Sequence, residues 1–225
     1  MPLIDIRESF IKMFEKWGKP GSIRVDNGEP MGSPSTDTTP VLPLWCIAQD
    51  IDMIWNKPHT PQLNGVVERM QDTTQRWAEI DKALNINDLQ ERLDREAIVQ
   101  RELFKVSRLD YKTRWEAYPE LITRQRPWLP NAENHFDIKR VHNFIEKKTY
   151  SRKVSSAGQI NVFSYKLSVG NKYVGQYVQV KFDAQSMNWN IYHDYKIVKT
   201  KPCLIFTKQN IENLSVMSKN NCEQT

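Results

Sequence analysis

The chain has 225 residues, 39% of them hydrophobic, with seven Trp and eight Phe among them, enough apolar mass for one sizeable core plus a smaller module and too much for a disordered protein. No apolar run reaches bilayer length, and Asp5, Arg7 and Glu8 interrupt the N-terminal stretch before a signal-peptide core can form, so no membrane segment and a cytoplasmic location are expected. The net charge of +5 is uneven: residues 1–130 hold 18 Lys/Arg against 20 Asp/Glu, and residues 131–225 hold 14 against 7. A basic C-terminal part beside a near-neutral one suits a polyanion-binding appendage, and equally a domain kept soluble by charge.

In chain order, Ile6, Phe10, Ile11, Phe14 and Trp17 recur at helical spacing and the pattern stops at Gly18 and Pro20, which predicts an amphipathic helix. It feeds a β-branched strand, Ser22 to Val25, that ends in Asp26-Asn27-Gly28. Asp-Asn-Gly after alternating apolar residues is a common hairpin turn; an acid at a strand end is also where a catalytic carboxylate stands. A polar Pro/Ser/Thr-rich loop, "EPMGSPSTDTTP", leads to a helix in "VLPLWCIAQDID" and a short strand in "MIWNKP". Strand, helix and strand outline an α/β unit.

"HTPQLNGVVERMQDTTQRWAEIDKAL" starts as a loop through Pro61, Asn64 and Gly65, then becomes a helix with Glu68 in its first turn; more helix follows in "NINDLQERLDREAIVQRELFKVS". Three prolines, Pro119, Pro127 and Pro130, predict an extended linker. From about Lys153 the texture changes to two-residue alternation in "QINVFSYKLSVG", "YVGQYVQVKFD" and "WNIYHDYKIVKTK", which predicts a small antiparallel sheet or barrel.

Other chemistry-bearing residues read as ordinary. Cys46, Cys203 and Cys222 are scattered and odd in number, hence expected as reduced thiols, and His59, His135, His142 and His193 have no partner at zinc spacing. Trp17, Trp45, Trp55 and Trp77 are expected in cores and Trp189 on the surface of the β module; Asp50 and Asp52 cap or solvate a helix end, and Glu79, Asp81, Asp88 and Asp94 form a solvated helix face.

Asp26 at a strand end and Glu68 at a helix start are two carboxylates that could converge on divalent ions, since Mg²⁺ takes hard oxygen ligands. "VDNGEP" followed by "KPHTPQLNGVVERM" resembles the second half of the DDE catalytic core of insertion-sequence transposases and retroviral integrases. The resemblance implies an α/β, RNase H-like core in which Asp26 is the second catalytic Asp and Glu68 the Glu, both ligands of two Mg²⁺ (or Mn²⁺) ions. It further implies that Asn27, Gln62, Asn64 and Arg69 line the site or touch DNA. The 41 residues between the acids exceed the usual integrase-like spacing, with "PMGSPSTDTTP" as the insertion, and a surface-loop insertion costs little. The C-terminal strands resemble the small β-barrel that follows this core in many insertion-sequence transposases. Lys139, Arg140, Lys147, Lys148, Arg152 and Lys153, interleaved with Phe144 and Tyr150, would bind phosphate there.

The family's first Asp and the strands around it have no match in these residues, since Asp5 stands at a helix start. The chain is therefore expected to be a truncated core, inactive alone and holding metal weakly. Phe10, Phe14 and Trp17 are expected to expose apolar surface, favouring a homo-oligomer or a partner chain that supplies the missing strands. The expected domains are a partial catalytic core with trailing helices over 1–118, a Pro-rich and basic linker over 119–152, a DNA-binding barrel over 153–205 and a polar tail over 206–225. The function expected is metal-dependent phosphoryl transfer to DNA in integration and transposition. The alternatives are a non-enzymatic DNA-binding or dominant-negative partner of a full-length transposase, and a binding module in which Asp-Asn-Gly is a simple turn.

Overall fold

The computed structural model describes residues 2–32, 37–57, 65–123, 126–129 and 135–215. They form two compact units: Met1–Lys16, Pro20–Trp55 and Trp128–Thr225 make the first, and Trp17–Lys19 with Asn56–Pro127 the second. Both helix and sheet are present, and the sheets are small.

The first unit begins with α1 (Leu3–Trp17), which carries Asp5 in its first turn and Lys16 in its last, each favourable to the helix dipole, and ends before Gly18 at a φ of 85°. Strand β1 (Ser22–Val25) pairs in parallel with β2 (Asp52–Trp55), in the register Ser22↔Asp52 to Val25↔Trp55. Parallel strands need a crossover, and here it contains α2 (Val41–Ala48), a helix with all but Ile47 buried. Phe14 stacks on Trp45 and meets Trp128 at 5.6 Å between ring centroids. Of the three residues expected to expose apolar surface, Phe14 is 3% exposed, covered in part by Trp128 from the Pro-rich segment, and Phe10 is partly buried against the core, whereas Trp17 is 45% exposed.

The same unit contains α6 (Ile138–Glu146), within the stretch expected as linker. Its N-terminus is capped by the Asp137 carboxylate, which accepts the Lys139 N–H at 2.9 Å, and it buries Val141 and Ile145. After it come β3 (Tyr150–Lys153), β4 (Gln159–Val162), β5 (Tyr165–Ser168), β6 (Tyr177–Asp183), β7 (Asn188–His193), β8 (Lys196–Pro202) and α7 (Lys208–Glu212). The antiparallel order β3-β6-β7-β8 makes one sheet and β4-β5 a separate hairpin; among the described residues no ladder closes these strands into a barrel. Two-residue turns with both residues at positive φ, Phe163–Ser164 and Asp194–Tyr195, close the hairpins β4-β5 and β7-β8, the backbone that matches strand twist.

Alternation along β6 and β7 places Val178, Val180, Phe182, Trp189 and Ile191 inside, packed with Tyr150, Phe163 and Phe206. Trp189 is 1% exposed and touches four aromatic rings, so it is a core residue and not the surface residue expected. The sequence around it alternates, but which face of an isolated strand turns inward depends on the sheet it joins.

The second unit contains α3 (Gly65–Ala78), α4 (Ile86–Ile98), which widens into a π-turn over Val99–Leu103, and the short α5 (Arg114–Ala117). Asn85 caps α4 by accepting the Asn87 and Asp88 N–H groups, and Thr113 with Glu116 forms a reciprocal capping box on α5. Trp77 meets Phe104 edge-on at 5.0 Å while remaining 41% exposed.

Candidate functional site

Asp26 immediately follows β1, at the carboxyl end of a strand in a parallel pair, and is exposed. Because the partner strand runs parallel, Asp26-Asn27-Gly28 cannot be the link of a hairpin; the chain continues into a local turn. The Gly28 N–H donates to Asp26 Oδ1 at 3.0 Å, and Gly28 O then accepts from the Met31 and Gly32 N–H groups at 3.2 and 2.7 Å. Gly32 is buried against the Asn27 backbone so closely that a Cβ would lie 2.4 Å from Asn27 C, so only glycine fits. Asn27 is half-buried in this turn.

Met31, Asp37 and Thr39, in the described parts of the chain after this turn, are each held by a side chain of the same unit. The Trp55 indole N–H donates to Met31 O at 2.9 Å. Lys148 Nζ donates to Thr39 Oγ1 at 2.7 Å, with the ammonium 4.4 Å above the Phe144 ring and 5.7 Å from Trp55. Arg152 grips Asp37 bidentately, at 2.9 and 2.6 Å, and also donates to Asn161 O and Ser151 O, both at 2.8 Å. The hydrogen bonds from Arg152 hold the Asp37 carboxyl below its ordinary range, and burial lowers the Lys148 ammonium, opposed by the nearby Asp37 charge.

Glu68 and Arg69 lie in the first turn of α3, in the second unit; both are exposed, and Arg69 Nε donates to Gly65 O at 3.1 Å. An acid in that first turn is also favourable to the helix dipole. Gln62, Asn64 and His59 lie outside the described residues. Of the six basic residues expected to bind phosphate around the β module, Lys148 and Arg152 are taken up by Thr39 and Asp37, whereas Lys139, Lys147 and Lys153 are exposed. Lys153 lines an open cavity of about 920 Å³ with Arg152, Asp37, Asn161 and Lys166; Lys147 lines one of about 440 Å³ with Arg140, which pairs with Asp50 at 3.2 Å.

Sequence reasoning missed Asp37, Thr39 and the anchoring role of Trp55. Asp37 stands in a polar loop like any other, and its partner is 115 positions away, so only the fold brings them together.

Asp26 and Glu68 offer exposed carboxylate oxygens, the donor chemistry Mg²⁺ takes. Among the described residues no three His, Cys, Asp or Glu side chains group closely enough to hold a metal ion. His142 contacts Phe206 O at 2.8 Å and His193 the Asp194 carboxylate at 3.1 Å. Cys46 and Cys203 are free and buried, and burial pushes their thiols up to about 12 and about 11, which makes them inert. Among the described residues no helix is long and apolar enough to cross a membrane.

No protein-family model matches the chain. A solved structure described as the cryo-EM structure of the simian T-cell lymphotropic virus intasome in complex with PP2A regulatory subunit B56 gamma contains a similar chain, with a TM-score of 0.41 and 16% identity. The similarity covers 90% of the present chain and 62% of that one, so the present chain spans less than two thirds of its length.

Proposed function

We propose that this chain carries the second Asp and the Glu of a DDE-type site, Asp26 and Glu68, and belongs to a protein that transfers phosphoryl groups on DNA during integration or transposition. The observation that carries the reading is the placement of Asp26-Asn27-Gly28 at the carboxyl end of a parallel strand, the end at which α/β sheets bind ligands. It is joined to the motif run "PQLNGVVER", in which Glu68 opens a helix. In this reading Asp26 and Glu68 are ligands for Mg²⁺ or Mn²⁺, and the ions would activate the attacking oxygen and stabilise the leaving one. Exposed Lys147 and Lys153 would contact DNA phosphates without reading sequence.

Mn²⁺ binding to the 225-residue polypeptide, followed by electron paramagnetic resonance, tests this. Asp26→Asn and Glu68→Gln are each expected to weaken it several-fold; binding that neither change affects would end the metal reading. DNA affinity should fall steeply with salt, and a Lys147→Glu/Lys153→Glu double variant should flatten that dependence. An unchanged salt slope would remove the phosphate role. The non-enzymatic reading, a DNA-binding partner, is favoured if the slope flattens while Mn²⁺ binding ignores both acids.

A further inference from the structure

The sheet β3-β6-β7-β8 turns one face into the aromatic core and the other outward. Cross-strand partners share a face, so the pairings Lys153↔Tyr177, Ser151↔Gln179↔Tyr192↔Ile197 and Lys181↔Asn190↔Thr200 fix what the outer face carries. Tyr177 is 66% exposed, Ile197 55%, and Tyr195, in the turn of the β7-β8 hairpin, 97%. Apolar surface on the side away from the core adds nothing to that core and marks a binding face. Tyr177, Tyr192 and Tyr195 meet around a cavity of about 230 Å³, whose wall also includes Ser151, Gln179 and Asp194. That is below the roughly 300 Å³ at which drug-sized pockets begin, and suits one flat ring more than a whole cofactor.

Charge decides which ring-bearing molecule fits. Lys153 is paired with Tyr177, and Lys181 Nζ lies 5.9 Å from the centroid of the Tyr192 ring. The cation position over Tyr192 is thus taken by the protein's own ammonium, which disfavours a cationic guest and favours an anionic one. The two acids of this region face partners of their own: Asp183 accepts from Ser186 Oγ at 2.7 Å, and Asp194 lies 3.1 Å from His193 Nδ1. An ammonium beside each of two exposed rings matches the phosphates and bases of an unpaired strand. A duplex keeps its base faces stacked inside and could use the ammonium groups alone.

We propose that this outer face binds single-stranded DNA, with bases stacked on Tyr177, Tyr192 and Tyr195, one of them seated in the cavity against Gln179 and Ser151, and with phosphates on Lys153 and Lys181. Every base has a π face, so the strand is held with little regard to sequence. That the strand is DNA rests on the function proposed above; the stacking face itself does not.

The experiment is fluorescence anisotropy on the 225-residue polypeptide with labelled oligothymidylate, a duplex of equal length and oligouridylate of equal length. Tyr177→Ala, Tyr192→Ala and Tyr195→Ala should each weaken oligothymidylate binding about five- to thirtyfold and leave duplex binding within about twofold. Tyr177→Phe, which keeps the ring, should stay within about twofold of the parent. Two phosphate contacts give a shallow logarithmic salt slope for oligothymidylate, about −1.4. Near-ultraviolet dichroism from the aromatic cluster checks the fold; Tyr177 and Tyr195 are exposed enough that the test stands on them even where Tyr192→Ala loosens the sheet. Oligothymidylate affinity unchanged in all three alanine variants would overturn the proposal. Equal losses on the duplex would also overturn it, because unpaired bases would then not be what the rings hold, and so would a salt slope of about −4, which would assign the binding to charge. Oligouridylate bound about tenfold more tightly than oligothymidylate through the same tyrosines would overturn DNA as the occupant. Mn²⁺ binding that ignores Asp26→Asn and Glu68→Gln would remove the metal reading alone, with the tyrosine data still deciding this face.

Discussion

The two units are built on opposite terms. The first buries Leu42, Leu44, Ile145, Ile191 and an aromatic cluster of Tyr150, Phe163, Phe182, Trp189 and Phe206, all 3% exposed or less. In the second, Ala78 is the one fully buried hydrophobic side chain among the described residues, beside buried Glu96, Gln100 and Thr113. Its order comes from polar devices: Gln100 bonded to Thr74 and Glu96, both at 3.0 Å, and the Arg101 guanidinium 4.2 Å from the Trp17 ring and 5.2 Å from Trp115. A core held by apolar area loses stability in large steps when a ring is removed; one held by caps, cation–π contacts and hydrogen bonds loses it in small ones. The difference matters for the proposed acids, because Asp26 is anchored in the first kind of unit and Glu68 rides on the second.

The sharpest test of this contrast is Trp189→Ala. Removing a fully buried Trp that touches Tyr150, Phe163, Phe182 and Phe206 should cost about 3–5 kcal/mol, read by denaturant unfolding monitored through near-UV dichroism. A loss below about 1 kcal/mol would mean that the aromatic cluster is not the element holding the first unit. Arg101→Ala comes next, at about 1–2 kcal/mol, since it removes stacking on two indoles and the stem that packs with them. It should appear as faster amide exchange over residues 99–116. If Arg101→Ala cost as much as Trp189→Ala, the second unit would have a deeper core than its burial shows. Asn85→Ala should cost about 1 kcal/mol by freeing the Asn87 and Asp88 N–H groups at the start of α4, measured as lost helicity in the far ultraviolet.

What the sequence made legible follows the same division between local and distant causes. The boundaries of α1 and β1, the β1-α2-β2 order and the alternation of β6 to β8 are set by periodicity and by Gly and Pro stops within a few residues, and they are visible in the chain. The helix α6 was hidden because Ile138, Val141 and Ile145 are spread among Lys, Arg, His and Asn, so charge dominated the reading of a segment whose apolar stripe is narrow. Trp189 was misplaced because alternation fixes two faces without saying which is inside. For the candidate site, Asp26 and Glu68 could be picked out from motif context, and Arg152 and Lys148 from charge. That Arg152 would meet Asp37 could not, since a bond across 115 positions has no local signature.

The smallest expected effect tests the Asp37–Arg152 ion pair by pH. Arg152 lowers the Asp37 carboxyl from its ordinary 3.8 in the folded protein, so the unfolded chain binds a proton at this site more readily than the folded one. The stabilisation is therefore fully present above about pH 5, where Asp37 is ionised in both states, and is lost as pH falls through the unfolded value toward the folded one. The Asp37 side chain is 49% exposed and its partner sits near the surface, so solvent screening leaves about 0.5 kcal/mol. Asp37→Asn should remove that increment at pH 6 and progressively less of it as pH falls below the unfolded value, which flattens the acid limb of the stability curve of the first unit. In 1 M salt the wild-type limb should approach that of the variant, because the pair lies within reach of screening ions. The second unit offers the contrast: Glu116 is lowered chiefly by the Thr113 N–H of its capping box, a hydrogen bond between residues three apart in the chain. Its acid response should survive Asp37→Asn unchanged in amide exchange over 113–117. A change at both places would show that acid sensitivity is a property of the whole chain's charge and not of the Asp37–Arg152 clamp.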